Sequence, residues 1–158
     1  NKACVGLMCG VPDLANEIVK KYKNKVQIVS LYYYYRHTKG FYVLTPFEWI
    51  DVIAVLDGLI TTFFHGMVFA IKSDTRFLAI ENRPVKNISS SKSYDLLKRN
   101  GLESNCVNIA EKEEVSRSLE KFIEEICSKK ISCDFSKTRA HERKMFTAFV
   151  DEFKSLLE

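Results

Sequence analysis

The chain has 158 residues, 46% of them hydrophobic and 28% charged, a balance that fits a soluble globular domain with one core and excludes a disordered chain. Its apolar stretches fall short of the roughly 18 residues that cross a bilayer, and no secretory leader opens it. A formal charge of +4 is too mild to name a partner; none of the five cysteines forms a C-x-x-C pair, and Cys4 and Cys106, in apolar strand-like runs, fit buried reduced thiols in a reducing cytoplasm.

The chain starts at Asn1 without an initiator Met, as a processed chain or an excised fragment would. Ala3 to Met8 reads as a first strand, Cys9-Gly10-Val11 as a turn, and Pro12 as a first helical residue. Leu14, Ile18 and Tyr22 then share a helical face. Val26 to Leu31 is a second strand, rich in β-branched residues. Four tyrosines, Tyr32 to Tyr35, follow it. Bases or sugar rings could stack on them, although alternation along a strand lets at most two share one surface. A lid or interface packed at a strand end is the simpler reading of that run.

Phe41 to Leu44 is a short third strand. Thr45-Pro46-Phe47-Glu48 announces a helix with a capping box, its face carried by Phe47, Ile50 and Ala54 with Ile53 beside them, and Asp57-Gly58 stops it. Gly58 to Thr62 is the fourth strand, followed by Phe63-Phe64-His65-Gly66 and a run with helical spacing. Arg76 to Glu81 is the fifth strand, and Asn82 to Ser91 a loop. A helix from Tyr94 to Asn100 ends at Gly101, and Asn105 to Ile109 offers a sixth strand. Val115, Leu119, Phe122, Ile123 and Ile126 mark an amphipathic helix, and Met145, Phe149, Phe153 and Leu157 a last one. The aromatic stripe of that last helix reads as core or a docking surface.

Strands alternating with helices predict an α/β fold: a Rossmann-like three-layer domain with a mostly parallel sheet and additional C-terminal helices. The expected division is a Rossmann-like donor-binding lobe over 1–131, then a linker and helix over 132–158 that packs on the lobe or on a partner lobe.

His65 stands where the fourth strand hands over to a helix. In an open parallel sheet that edge is where ligands bind, and a helix N-terminus there offers N–H groups to an anion. An imidazole beside an anion site can serve as an acid, and equally can cap or pack a strand end. Downstream, Arg83 to Gly101 carries five basic residues, Arg83, Lys86, Lys92, Lys98 and Arg99, against one acid, Asp95. Such a run is either a solvated face or one wall of an anion site. Phosphate-loop, dinucleotide and nucleophile-elbow motifs are missing, no histidine spacing fits a metal, and no nucleic-acid motif occurs.

Thr61-Thr62-Phe63-Phe64-His65-Gly66 after Asp57-Gly58-Leu59-Ile60 resembles the polysaccharide pyruvyl transferase family. Its members read as an acidic residue, an apolar strand, and Thr-x-[Ser/Arg]-[Phe/Leu]-His-Gly opening a helix. Phe77-Leu78-Ala79-Ile80, the basic loop, the helix Lys92 to Glu103 with its Leu96-Leu97 and Gly101-Leu102, and the earlier Thr45 to Ile50 helix start carry the resemblance further. It spans roughly residues 2 to 130.

The resemblance implies the C-terminal, donor-side lobe of a two-lobed, glycosyltransferase-B-like fold, without its N-terminal acceptor-side lobe. The implied activity moves a pyruvyl group from phosphoenolpyruvate to a sugar hydroxyl of a bacterial surface glycan, with no metal or cofactor. His65 would be the catalytic acid. Thr62, Phe64, Gly66, Arg83, Lys86 and Lys92 would bind the donor. Phe63 stands where many members have Arg or Ser, Lys92 where Arg often opens the Leu-Leu helix, and Asn105 at another position often held by Arg. Lys keeps the charge of Arg but not its bidentate fork. Two other readings stay open: a lobe that binds a nucleotide sugar, with Glu81 for its ribose, and a non-catalytic module that docks a partner through Tyr32 to Tyr35 and the last helix.

Overall fold

The computed structural model describes residues 2–82, 91–128 and 133–155. Six strands follow the chain: β1 Cys4–Met8, β2 Gln27–Leu31, β3 Gly40–Tyr42, β4 Gly58–Thr61, β5 Phe77–Glu81 and β6 Cys106–Asn108. Between and after them come α1 Pro12–Tyr22, α2 Pro46–Ala54, α3 Phe64–Lys72, α4 Lys92–Arg99, α5 Lys112–Ser128 and α6 Ser136–Ser155. The strands form one all-parallel sheet in the order β3-β2-β1-β4-β5-β6. Leu7 of β1 lies between Ser30 of β2 and Ile60 of β4 in the register. The order reverses between β1 and β4, and such a reversal opens a crevice at the carboxyl ends of the strands. The expected α/β, Rossmann-like layering is what the chain adopts.

Alternation along the strands divides the core in two. Val5, Leu7, Ile28, Ile60, Leu78, Ile80 and Val107 face α1 and α5. Met8, Val29, Leu31, Leu59, Phe77, Ala79 and Cys106 face the other way, with α2, α3, α4 and Phe135. A strand buried on both faces reads as a continuous apolar run, which is why β4 and β5 stand out in the sequence. Each fully buried Leu or Ile contributes about 1.5–3 kcal/mol relative to exposure.

Three details correct the sequence reading. The inward face of α2 is Trp49, Val52 and Ile53, continued by Leu56, while Phe47 is 82% exposed and Ala54 faces solvent. The face is thus turned by about one residue. Gly58 does not end α2, whose cap is Val55; it opens β4 under α5, where an added Cβ would lie 2.6 Å from Ile126 Cδ1 and 2.9 Å from Phe122 Cζ. Asn105 belongs to a 3-10 turn, Glu103–Asn105, ahead of a shorter β6, because its side-chain amide donates to Phe77 O at 3.1 Å.

The first two turns of α6 are anchored to the rest of the chain. Asp74 Oδ1 accepts from Phe135 N at 2.7 Å and pairs with Arg139 Nη1 at 2.5 Å. Arg139 also donates to Ile71 O, and Glu142 accepts from Arg99 and Asn100. Farther along, Met145, Phe146 and Phe149 are exposed. Leu157 lies outside the described residues.

Candidate functional site

Thr61, wholly buried at the end of β4, fixes the handover from strand to helix. Its hydroxyl accepts from Phe63 N at 3.0 Å and faces Phe63 O at 3.3 Å. Phe63 is the N-cap of α3 and provides no side-chain cap. Its carbonyl accepts from Gly66 N at 3.1 Å. The first N–H groups of a helix have no partner within it, so this end of α3 suits an anion.

His65 is the second residue of α3 and is exposed at the carboxyl edge of the sheet. Its ring meets Phe64 edge-on, centroids 6.1 Å apart. Phe64 itself is 39% exposed. Gly66, in the first turn, is buried: an added Cβ would sit 2.3 Å from Thr61 Oγ1 and 3.2 Å from Met8 Sδ. Its missing side chain lets α3 press against β4 and β1, which is a packing role rather than an open ligand contact.

Lys92 is the first residue of α4 and is exposed. In a parallel sheet the helix after β5 starts at the carboxyl edge, so Lys92 shares that edge with His65. Ser91 caps α4 by accepting from Tyr94 N at 3.0 Å. Among the described residues neither His65 nor Lys92 makes a hydrogen bond or ion pair. Arg83 and Lys86 lie outside the described residues. Asn105 does not join this group. It precedes β6 at the amino edge, the far end of the sheet from His65.

Thr62 bridges the carboxyl ends of β1 and β4. Its hydroxyl accepts from Gly10 N at 2.8 Å, and its N–H donates to Met8 O at 3.0 Å. Phe63 lies over Gly10, whose added Cβ would be 3.0 Å from Phe63 Cζ. Tyr33 stacks on Phe63, centroids 6.3 Å apart and planes inclined by 24°. Tyr32 meets Phe63 at 5.7 Å and Trp49 at 5.8 Å. Tyr32 has φ of 81°, a left-handed conformation that costs a bulky residue about 1–3 kcal/mol. That strain is held by these ring contacts and by Tyr32 N donating to Tyr42 O at 3.0 Å.

Tyr35 is buried and donates its hydroxyl to Cys9 O. Burial above all, then the nearby Cys9 and Tyr33, push its phenol up to about 12, so it stays a neutral donor bracing the β1 loop. Burial also pushes the Cys9 thiol up, which leaves it unsuited to nucleophilic work. Glu81 is buried on β5, and its charge adds to the burial that pushes the Cys106 thiol up to about 12. The ring cluster was the part that sequence reasoning missed. Its one local signal was the tyrosine run at a strand end; Phe63 joins it only through the β2-β1-β4 order.

Among the described residues, no helix is long and apolar enough to cross a membrane, and no group of three His, Cys, Asp or Glu is placed to hold a metal ion. No curated protein and no solved structure matches the chain significantly. The family described as polysaccharide pyruvyl transferase does match, over residues 7–84. That stretch runs from β1 past β5 and includes the β1–α1 turn, the tyrosine run and the His65-Gly66 handover. Over this segment the chain is similar to the polysaccharide pyruvyl transferase family, which supports the resemblance read from its sequence.

Proposed function

We propose that the chain is the donor-binding lobe of a pyruvyl transferase-like enzyme that takes phosphoenolpyruvate and a glycan acceptor. The observation that carries this is the exposed His65 on the first turn of α3, inside the family segment and at the reversal point of a parallel sheet. Phosphoenolpyruvate brings a phosphate and a carboxylate, which call for helix N-termini and cations. Lys92 offers one cation at that edge; Arg83 and Lys86 supply the rest in this reading.

The proposed chemistry needs a proton. His65 as imidazolium gives one to the methylene carbon of the donor, and the adjacent enol carbon becomes electrophilic. A sugar hydroxyl adds there and loses its proton. The first hydroxyl's proton returns to His65; the phosphate then departs, and a second hydroxyl adds and gives its proton to that phosphate, closing a ketal. A positioned acid of this kind is worth about 10²- to 10⁴-fold in rate. An acceptor-side lobe would orient the sugar, so the lobe by itself binds donor and turns over little. The location in this reading is cytoplasmic, where phosphoenolpyruvate is made.

Of the two other readings, the nucleotide-sugar lobe is the less favoured. In a dinucleotide-binding fold the pyrophosphate lies against the turn after the first strand. Here that turn is covered by Phe63, and Glu81 is buried one strand beyond β4. Titration with phosphoenolpyruvate and with a nucleotide sugar separates these readings: saturable binding of the first, weakened by salt and by Lys92→Gln, is expected. Binding of the nucleotide sugar alone, or of neither, overturns the proposal.

A further inference from the structure

The rings of Tyr33 and Phe63 lie 6.3 Å apart and close to parallel, at the carboxyl ends of β2 and β4. Tyr32 buttresses both of them, its centroid 4.7 Å from Tyr33 and 5.7 Å from Phe63. Tyr33 nonetheless keeps 43% of its surface exposed. Most exposed tyrosines need no explanation. This one is held on a strained backbone, because Tyr32 takes φ of 81° and so turns the chain at the strand end. The cluster also sits two residues from His65 along the chain.

We propose that Tyr33, backed by Phe63, is a stacking platform for a pyranose ring, the acceptor subsite of this lobe. This rests on the pyruvyl transferase reading and adds to it where the acceptor binds. Aromatic faces take the C–H side of a pyranose, and the tyrosine hydroxyl leaves a polar rim for the sugar hydroxyls. A nucleobase would use the same faces. It is disfavoured because Phe63 occupies the place of its phosphates over Gly10. Tyr33, Phe63 and His65 all follow strand ends at the carboxyl edge of the sheet.

Trp49 is the single tryptophan, and its ring is 5.8 Å from Tyr32. Its fluorescence therefore reports on the platform. The 158-residue chain would be titrated with methyl pyranosides of gluco, galacto, manno and N-acetylgluco configuration, and with uridine and adenosine. Saturation-transfer NMR would identify the protons that touch protein. A saturable change with at least one pyranoside is expected, with transfer concentrated on one face of the ring. Tyr33→Ala should weaken it about two- to tenfold, and Tyr33→Phe should keep it. Equal affinity in wild type and Tyr33→Ala, no response to any pyranoside, or a response to nucleosides alone overturns the proposal. Phosphoenolpyruvate is titrated separately into the wild type. Sugar failure with donor binding intact sinks the platform alone; donor failure with sugar binding intact sinks the donor reading alone.

Discussion

The two edges of the sheet are built on opposite principles. At the amino edge the polar side chains are tied to the fold: Asp57 accepts from Cys4 N, Thr75 donates to Ile53 O, Asn105 to Phe77 O, and Arg76 pairs with Glu125. At the carboxyl edge Thr61, Thr62 and Tyr35 tie the backbone down, while His65 and Lys92 stand exposed. The same edge holds a strained Tyr32 and an exposed Tyr33. Polar groups consumed by backbone partners stabilise a fold, whereas polar groups held in place yet left facing water are available to a ligand.

The contrast can be broken at four points. The largest effect is expected from His65→Ala in a protein that joins this lobe to its acceptor side. Transfer from phosphoenolpyruvate to a glycan should fall by about 10²- to 10⁴-fold with the melting temperature unchanged. Equal rates would remove His65 as the acid. Gly66→Ala comes next and should cost about 1–3 kcal/mol in denaturant unfolding, because the new methyl meets Thr61 Oγ1 at 2.3 Å; an unaltered midpoint would show that α3 shifts freely on the sheet.

Lys92→Gln should weaken phosphoenolpyruvate binding at low salt and leave stability within about 0.5 kcal/mol of wild type. Calorimetric titration at two salt concentrations checks it, and no change at low salt would return Lys92 to the solvated surface. The smallest effect belongs to the amino edge. Hydrogen bonds from Arg139 and from Phe135 N hold the Asp74 carboxyl below its usual value. A depressed carboxyl stabilises above its unfolded pKa, and the gain is lost as pH falls through the folded one. Asp74→Asn should therefore melt lower than wild type at neutral pH, with the gap closing as pH drops below the carboxylate range. A gap that widens on acidification would contradict the docking of α6 through this pair.

The sheet was legible because its signal is local. Apolar runs such as Leu59-Ile60 and Phe77 to Ile80 are buried on both faces, and Thr45 with Glu48 forms the capping box that its spacing announced. What could not be read depends on partners far along the chain. The role of Gly58 is decided by Phe122 and Ile126, that of Asn105 by Phe77 O, and that of Gly66 by Met8 and Thr61. The position of His65 on the first turn at the carboxyl edge followed from the motif. The covering of Gly10 by Phe63 did not, since no local pattern brings residues 10, 33 and 63 together. Arg83 and Lys86 fall outside the described residues, and their part in the site stays a proposal.

The Thr61 knot has an evolutionary corollary. One hydroxyl holds the backbone of Phe63 while its methine side is pressed by Gly66, so only residues 62 and 63 separate strand from helix. A connector this tightly tied does not admit an inserted residue without lifting α3 from the sheet. The β2–β3 connection, residues 32–39, is longer and carries exposed tyrosines and a left-handed His37. Lineages descended from this scaffold should therefore vary the strand-to-helix handover by substitution, and the β2–β3 connection by insertion as well.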